Sequence, residues 1–409
     1  MTVEITDSLT LPCGVKISNR IAKSAMSENM AKKNHHPGKE FYQAYRQWAK
    51  GGAGLCISGN VMVDSEYRGE PRNVVIEKKI NNIEDLCKWA KATEGSENQI
   101  WLQLNHPGKQ TPRFLTKVPV APSAISLKPP LNKMFNTPRE LSEDEIWNII
   151  ERFSYAASIA KKAGFQGVQI HGAHGYLVSQ FLSPRHNQRK DKWGGDIERR
   201  IKFVSEIYLA IRKSVGNNFP IGIKMNSADF SRGGFTHEEA IFVAKHLSAL
   251  GMDLIELSGG SYEVTAMMGE SQSTIEREAY FLDYAKDIKE VISCPLMLTG
   301  GFRSANFMRK VIESKEVDLV GLGRALCIEP DFPQSVLNGE DSISPVKSIT
   351  SGYRYLDKLL PLEIIWYTEQ IRRMGKGKKP YPELKALKVI LKNISDYGIQ
   401  GLRRVRGKL

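Results

Sequence analysis

No run in this 409-residue chain approaches the roughly 18–20 apolar residues that a membrane-spanning helix requires. The N-terminus also lacks the apolar segment of a signal peptide, so a soluble cytoplasmic protein is the expectation. Cysteine is scarce and scattered: Cys13, Cys56, Cys87, Cys294 and Cys327 include no close-spaced pair. That excludes the usual zinc-ribbon and iron–sulfur spacings and argues against a disulfide framework, leaving reduced, packed thiols. No Gly-x-Gly-x-x-Gly opens a dinucleotide-binding domain. Acidic residues are outnumbered, 45 Asp+Glu against 58 Lys+Arg. From Tyr353 onward, 14 Lys/Arg face five Asp/Glu, so +9 of the net charge of +13 lies in the tail. Its densest stretch is Arg372-Arg373-Met374-Gly375-Lys376-Gly377-Lys378-Lys379. No zinc-finger, helix-turn-helix or RNA-binding signature accompanies it, so no nucleic-acid partner is expected. A solvated or subunit-contacting tail is the expectation.

What is present is a repeated strand–helix rhythm. Short apolar runs recur at 21–25, 53–58, 100–104, 167–170, 221–225, 254–257, 295–299 and 319–322, interleaved with helical patterns. The segments 41–50 and 83–93 supply the first two helices. The segment 142–163 opens with the capping box Ser142-x-x-Glu145 and carries Ile146, Ile149, Ile150, Phe153, Ala157 and Ala160 on one face. The segment 196–215 repeats the pattern, and Thr236-x-x-Glu239 caps the next helix, which ends at Gly251. Eight alternating units predict a closed parallel (β/α)8 TIM barrel. Ahead of them, 9–11 and 15–17 flank Pro12-Cys13-Gly14, a hairpin placed to plug the barrel bottom. Gly51-Gly52-Ala53-Gly54 precedes its strand and lacks the Gly-Lys-Ser/Thr ending of a phosphate loop; it reads as a helix C-cap and a turn at that bottom. The organisation is then a barrel domain over 1–340 and a basic, helical extension over 341–409.

Two long segments break the regularity. Residues 111–140 hold six prolines and follow the third strand, so they would lie over the catalytic mouth as a lid or binding loop. Residues 183–195, with Arg185, His186, Arg189, Lys190 and Lys192, would form a second wall. The most informative run is Ile170-His171-Gly172-Ala173-His174-Gly175-Tyr176, where the fourth strand gives way to a loop at the C-terminal rim. Two imidazoles there can donate to a developing oxyanion and a phenol can deliver a proton. A metal pair and buried structural histidines are the competing readings.

Several separated motifs resemble the old yellow enzyme family of FMN-dependent ene reductases, also described as NADH:flavin oxidoreductases, from about residue 8 to about residue 335. They are Asn19-Arg20-Ile21 leading to Ser24-Ala25-Met26-Ser27, then Gln103-Leu104-Asn105-His106-Pro107-Gly108-Lys109-Gln110. Next come the 170–176 run with Gln180-Phe181-Leu182-Ser183-Pro184, and Asn187-x-Arg189 with Trp193-Gly194-Gly195. Thr299-Gly300-Gly301-Phe302 and Gly321-Leu322-Gly323-Arg324 complete the set. The flanking Lys23-Ser24-Ala25-Met26 and Gly51–Gly54 text is similar to a bacterial and fungal subgroup labelled NADH oxidases.

The resemblance implies FMN as cofactor and NAD(P)H as a transient hydride donor that uses the substrate's own pocket. It places the FMN phosphate at Gly300, Gly301, Phe302, Gly323 and Arg324, where glycines admit backbone N–H groups and an arginine can pair bidentately. Gln103 would meet the pyrimidine edge, and Gly59 would pass a backbone group close to it. Ser24, Ala25, Met26 and Ser27 would line the ring. Lys224 stands where the best-known relatives carry arginine and would hold a cation near N1, a point charge instead of a planar fork. Ser27 replaces a familiar Cys or Thr, and Asn29 stands where one subgroup sets a tyrosine against substrate.

The implied reaction reduces the activated C=C bond of an α,β-unsaturated carbonyl compound by a ping-pong sequence. His171 and His174 bind the carbonyl oxygen and Tyr176 supplies the α-proton. The rivals are a flavin-dependent NAD(P)H oxidase and a metal-dependent barrel hydrolase using His171 and His174, which lacks a clear third and fourth ligand, since no spacing motif supports the candidates Glu256 and Asp229. In some relatives a C-terminal residue reaches a neighbour's site, which makes a homo-oligomer an expectation for the segment after residue 335.

Overall fold

The computed structural model describes residues 2–80, 83–260, 278–353, 356–357 and 360–397. Eight parallel strands run in chain order: β1 (Ile21–Lys23), β2 (Leu55–Met62), β3 (Gln99–Asn105), β4 (Gly167–Gly172), β5 (Ile221–Asn226), β6 (Leu254–Ser258), β7 (Leu296–Thr299) and β8 (Leu319–Leu322). Each pairs with the next, and β8 pairs back to β1 through Gly321↔Ala22, closing the barrel. All eight fall on the expected runs. The second starts two residues late and extends to Met62, with a register irregularity between Ile57 and Asn60. Gly59 sits in it, where a Cβ would lie 2.2 Å from the Met26 carbonyl oxygen. Only glycine admits that approach.

Strand side chains alternate between faces, and here the alternation separates two cores. Ile221, Ile223 and Met225 of β5 join the outer layer beneath the helices. The inner cluster is Ala22, Leu55, Ile57, Trp101, Leu254, Met297 and Leu319, joined by Leu9, Leu11 and Ile17. Those last three come from the hairpin, in which Leu9 pairs with Ile17 and Thr10 with Lys16, around Gly14 at φ +84°. The barrel bottom is therefore plugged with apolar side chains, each worth about 1.5–3 kcal/mol on full burial.

The helices that cover the barrel are α1 (Lys39–Lys50), α2 (Ile83–Ala90), α3 (Glu143–Ala163), α4 (Lys202–Val215), α5 (His237–Ala249), α6 (Leu282–Val291), α7 (Ala305–Glu313) and α8 (Phe332–Leu337). In α1, Phe41, Ala44, Tyr45, Trp48 and Ala49 form the buried stripe. Both expected capping boxes form, Ser142 with Glu145 on α3 and Thr236 with Glu239 on α5. The helix expected over 196–215 is split into Ile197–Arg200 and α4. The break falls where Arg200 turns inward to donate to Gly195 O at 2.9 Å and to Glu239.

The extension is helical, and one of its helices docks on the barrel where a solvated or subunit-contacting tail is the expectation. Helix α9 (Leu362–Gly375) buries Trp366, Tyr367, Thr368, Ile371 and Met374, and α10 (Ala386–Tyr397) follows. Gln47 of α1 donates to Met374 O at 2.9 Å, and a Cβ at Gly375 would lie 2.8 Å from Glu40 O. Lys376–Lys379, just past the helix, are exposed as the charge count suggested, and so are Lys385 and Lys388. Arg403, Arg404, Arg406 and Lys408 lie outside the described residues. Among the described residues no helix is long and apolar enough to cross a membrane.

Candidate active site

Above the apolar floor the inward positions turn polar. Gln103 of β3 donates through Nε2 to Gln169 Oε1 of β4 at 2.8 Å, and Gln169 Nε2 donates to Glu256 Oε2 of β6 at 2.7 Å. Glu256 Oε1 accepts from Thr299 of β7 at 2.6 Å and lies 2.9 Å from Lys224 Nζ of β5. Thr299 in turn shares a hydrogen bond of 2.7 Å with Ser24, just after β1. A lysine buried without a partner is costly, and the resemblance gives Lys224 a contact with the cofactor. Lys224 is buried, but its neighbour Glu256 supplies an anionic partner within the protein.

One turn higher, at the C-terminal end of β4, the His171 and His174 rings stand 5.1 Å apart, edge to face, and Tyr176 lies 4.8 Å from His171. The backbone N–H of Ala173 donates to His171 Nδ1 at 3.3 Å, so the ring proton sits on Nε2, free to donate elsewhere. His174 adopts φ +60°, a conformation rare outside glycine. Two side-chain amides hold it there: Asn226 accepts its N–H at 3.1 Å and Gln110 donates to its carbonyl at 2.9 Å. Its Nε2 meets Ser258 Oγ at 3.0 Å. Burial holds His171 well below the ordinary imidazole value, helped by His174 and Lys224, and pushes His174 down to about 3, with Lys224 adding to the effect. Both rings are neutral donors at physiological pH, suited to an oxyanion.

The loop after β1 carries the other expected cofactor residues. Ser24 is buried, and Ala25, Met26 and Ser27 follow it, partly covered. The Ser27 hydroxyl donates to Glu70, whose carboxyl burial pushes upward, so its proton is turned away from the mouth. Asn29 braces the same loop, since its side-chain oxygen accepts the Arg72 N–H at 2.8 Å. Helix α9 clamps the loop from outside: Thr368 donates to Ser27 O at 3.0 Å and Arg372 to Asn29 O at 3.1 Å.

At the opposite rim Gly300 and Gly301 have φ of +135° and +83°. Gly323 has open space where a Cβ would be, its nearest neighbour being Met26 Sδ at 3.8 Å, while Phe302 is buried. Arg324 donates through Nη1 to Glu363 of α9 at 2.7 Å. A glycine-lined rim, a cation on each side and a floor of amides and hydroxyls fit a flat heterocycle bearing a phosphate.

The two long segments are tied to each other. Arg189 donates to Pro122 O at 3.1 Å and Leu141 O at 2.6 Å, and Gln188 N donates to Ser123 Oγ at 3.0 Å. Lys109 meets His186 Nδ1 at 2.8 Å and Ile125 O at 3.3 Å. Among the described residues no group of three or more His, Cys, Asp or Glu side chains comes together as a metal site. Asp229 is engaged by Ser183 and the Phe235 N–H, and Glu256 lies in the layer with Lys224.

Sequence reasoning missed Gln169, Thr299, Asn226, Ser258, Glu70 and the α9 residues, and had Glu256 only as a metal ligand. The signal for the strand residues was present: Lys224 and Asn226, Glu256 and Ser258, Gln169 and His171 are pairs of polar residues two apart on one strand face.

Fold and rim together define a (β/α)8 barrel with a polar pocket at the C-terminal ends of its strands. The profile of the NADH:flavin oxidoreductase / NADH oxidase family matches residues 10–342, and the chain belongs to that family of flavin-dependent, NADH-using enzymes. The NADH-dependent flavin oxidoreductase iliE of Hypocrea jecorina is 33% identical over 95% of this chain and 98% of its own length. The NADH oxidase of Thermoanaerobacter brockii is 34% identical over 80% of this chain, which spans only 50% of it; the Neonectria relative of iliE is likewise matched over 46% of its length. Among solved structures, the old yellow enzyme homologue of Zymomonas mobilis superposes with a TM-score of 0.71 at 25% identity, over 84% of this chain and 95% of that one. A 2-naphthoyl-CoA reductase gives 0.77 at 26%, over 82% and 52%.

Proposed function

We propose that this chain is an FMN-dependent reductase that takes a hydride from NAD(P)H and delivers it to the activated C=C bond of an α,β-unsaturated carbonyl compound, in two half-reactions sharing one pocket. The observation that carries this reading is the pair of buried, neutral imidazoles, His171 and His174, set edge to face above a polar barrel floor. When bound, FMN supplies the two-electron hydride relay. Gly300, Gly301, Phe302, Gly323 and Arg324 would hold its phosphate; Gln103, Gly59 and Lys224 would meet its pyrimidine edge, with Ser24, Ala25, Met26 and Ser27 along the ring.

The protein's part is to orient and polarise. His171 donates from Nε2 and His174 from its free edge to the acceptor's carbonyl oxygen, where negative charge grows as hydride arrives at the β-carbon. Neutral rings suit that task because they give a hydrogen bond without giving up the proton. Tyr176, in ring contact with His171, delivers the proton to the α-carbon. Asn29, whose side-chain oxygen is engaged by the Arg72 N–H, would stand on the substrate side of the pocket.

The test is an anaerobic visible spectrum of the His171→Ala/His174→Ala protein. NADH should still bleach the flavin, while reoxidation by an enone slows by at least about 100-fold, the order expected when oxyanion donors are lost. Equal slowing of both steps would overturn the assigned roles. Oxygen as the working acceptor is the second reading, suggested by the NADH oxidase relative. Bleaching in the wild-type protein that oxygen reverses and enones do not would establish it.

A further inference from the structure

The polar layer of the barrel holds one carboxylate that the hydride chemistry above does not use. Glu256 is fully buried at the centre of that layer, and three donors converge on its two oxygens: Gln169, Thr299 and the Lys224 ammonium. Those donors belong to β4, β7 and β5, and through Gln103 and Ser24 the same chain of contacts reaches β3 and the end of β1. A carboxylate so held has fixed position and little freedom to turn away. Its effect on Lys224 is direct. A lysine beneath the cofactor site would present a full positive charge, but a lysine 2.9 Å from a carboxylate presents an ion pair whose field largely cancels at a distance.

We propose that Glu256 is the counter-charge of Lys224, which sets the flavin of this site at a more reducing potential than the lysine alone would. The inference rests on the flavin reading given above. Reduction adds negative charge to the bound heterocycle, which a nearby cation favours and a nearby anion opposes. Removing the anion while keeping the cation therefore raises the potential; removing the cation while keeping the anion lowers it. The contacts of Glu256 are Gln169, Thr299 and Lys224, and not the His171–His174–Tyr176 cluster, so it is a positioning and tuning residue. The potential is a readout that a purely structural role would not move in a fixed direction.

The experiment measures the flavin midpoint potential of purified, flavin-loaded protein against reference dyes. Glu256→Gln should raise the reduced-to-oxidised ratio at a fixed poise by about tenfold or more, the size expected of a unit charge a few ångströms away in a partly polar interior. Lys224→Met should lower it. Glu256→Asp keeps the charge but withdraws it from Lys224, and should shift the ratio in the same direction as Glu256→Gln by a smaller factor. That variant carries the test if Glu256→Gln does not fold. An unchanged or more negative potential in the loaded Gln or Asp variant overturns the inference while leaving the flavin reading intact. Wild-type protein that takes up no flavin overturns the reading on which it rests.

Discussion

Two buried lysine–glutamate pairs stand on opposite sides of the same barrel, one on the outer face of β1 and one on the inner face of β5. Lys23, on the outer face of β1, lies beneath α1: its Nζ donates to Ile57 O at 2.7 Å, sits 4.4 Å from the Trp48 ring centroid and lies 3.5 Å from Glu28. Glu28 also accepts from Tyr45 and from the Gly59 backbone. Lys224, on the inner face of β5, lies 2.9 Å from Glu256 under the mouth. The outer lysine is consumed by the fold, with a carbonyl, a carboxylate and an aromatic face around it. Burial draws its pKa down and pushes that of Glu28 up, and their mutual attraction opposes both shifts. The inner pair is embedded in amides and hydroxyls that lead to the rim. One residue pairing therefore does two jobs, and the face of the strand decides which. The outer pair brackets the segment carrying Ser24, Ala25, Met26 and Ser27, and so shapes the proposed cofactor site without entering it.

The largest test of this contrast is Lys23→Met. It leaves the buried Glu28 with its Tyr45 and Gly59 donors but no counter-charge, and takes the Lys23 donor from the Ile57 carbonyl, and should cost about 3–5 kcal/mol of stability, read from urea unfolding. Adding Glu28→Leu should recover much of that loss. Lys224→Met should cost less stability, because it takes a donor from no backbone carbonyl, whereas Lys23 also serves Ile57 O. Equal losses at the two sites would erase the distinction.

His106 separates the burial of a titratable group from ion pairing. Burial pushes its imidazole down to about 4 from an ordinary 6.5, and its Nδ1 accepts the Gly108 N–H at 3.1 Å. The unfolded chain takes the proton first as pH falls, so the stability this ring contributes is present above 6.5 and lost on the way down to 4. His106→Asn should therefore shrink the difference in unfolding free energy between pH 7 and pH 5 by about 2 kcal/mol. An undiminished difference would mean that other groups govern that window. The smallest effect is expected from Thr368→Ala, which removes the α9 contact to Ser27 O and should cost about 1 kcal/mol. Flavin dissociation is its sharper readout: faster release would show that the loop needs both clamps.

Much of this was legible in the sequence. The eight strands follow from apolar runs bounded by glycines and caps, and the His171–His174–Tyr176 cluster follows from a strand that ends in three polar rings. The inner partner of Lys224 was not, because Glu256 lies 32 positions away and meets it only once β5 and β6 are placed side by side in register. The period-2 pattern tells which residues face inward, not which inward residues touch. The extension was misread for a different reason. Net charge drew attention to Lys376–Lys379, whereas the docking face is carried by Trp366, Tyr367, Ile371 and Met374, just before that run.

Arg189 gives the mouth another property. By fastening the Pro122 and Leu141 carbonyls to its own segment, it joins two long walls into one piece, with Lys109 and His186 as a second fastening. On that side the opening is a mould more than a jaw. Cutting those ties by substitution at Arg189 is therefore the direct way to let the two segments part.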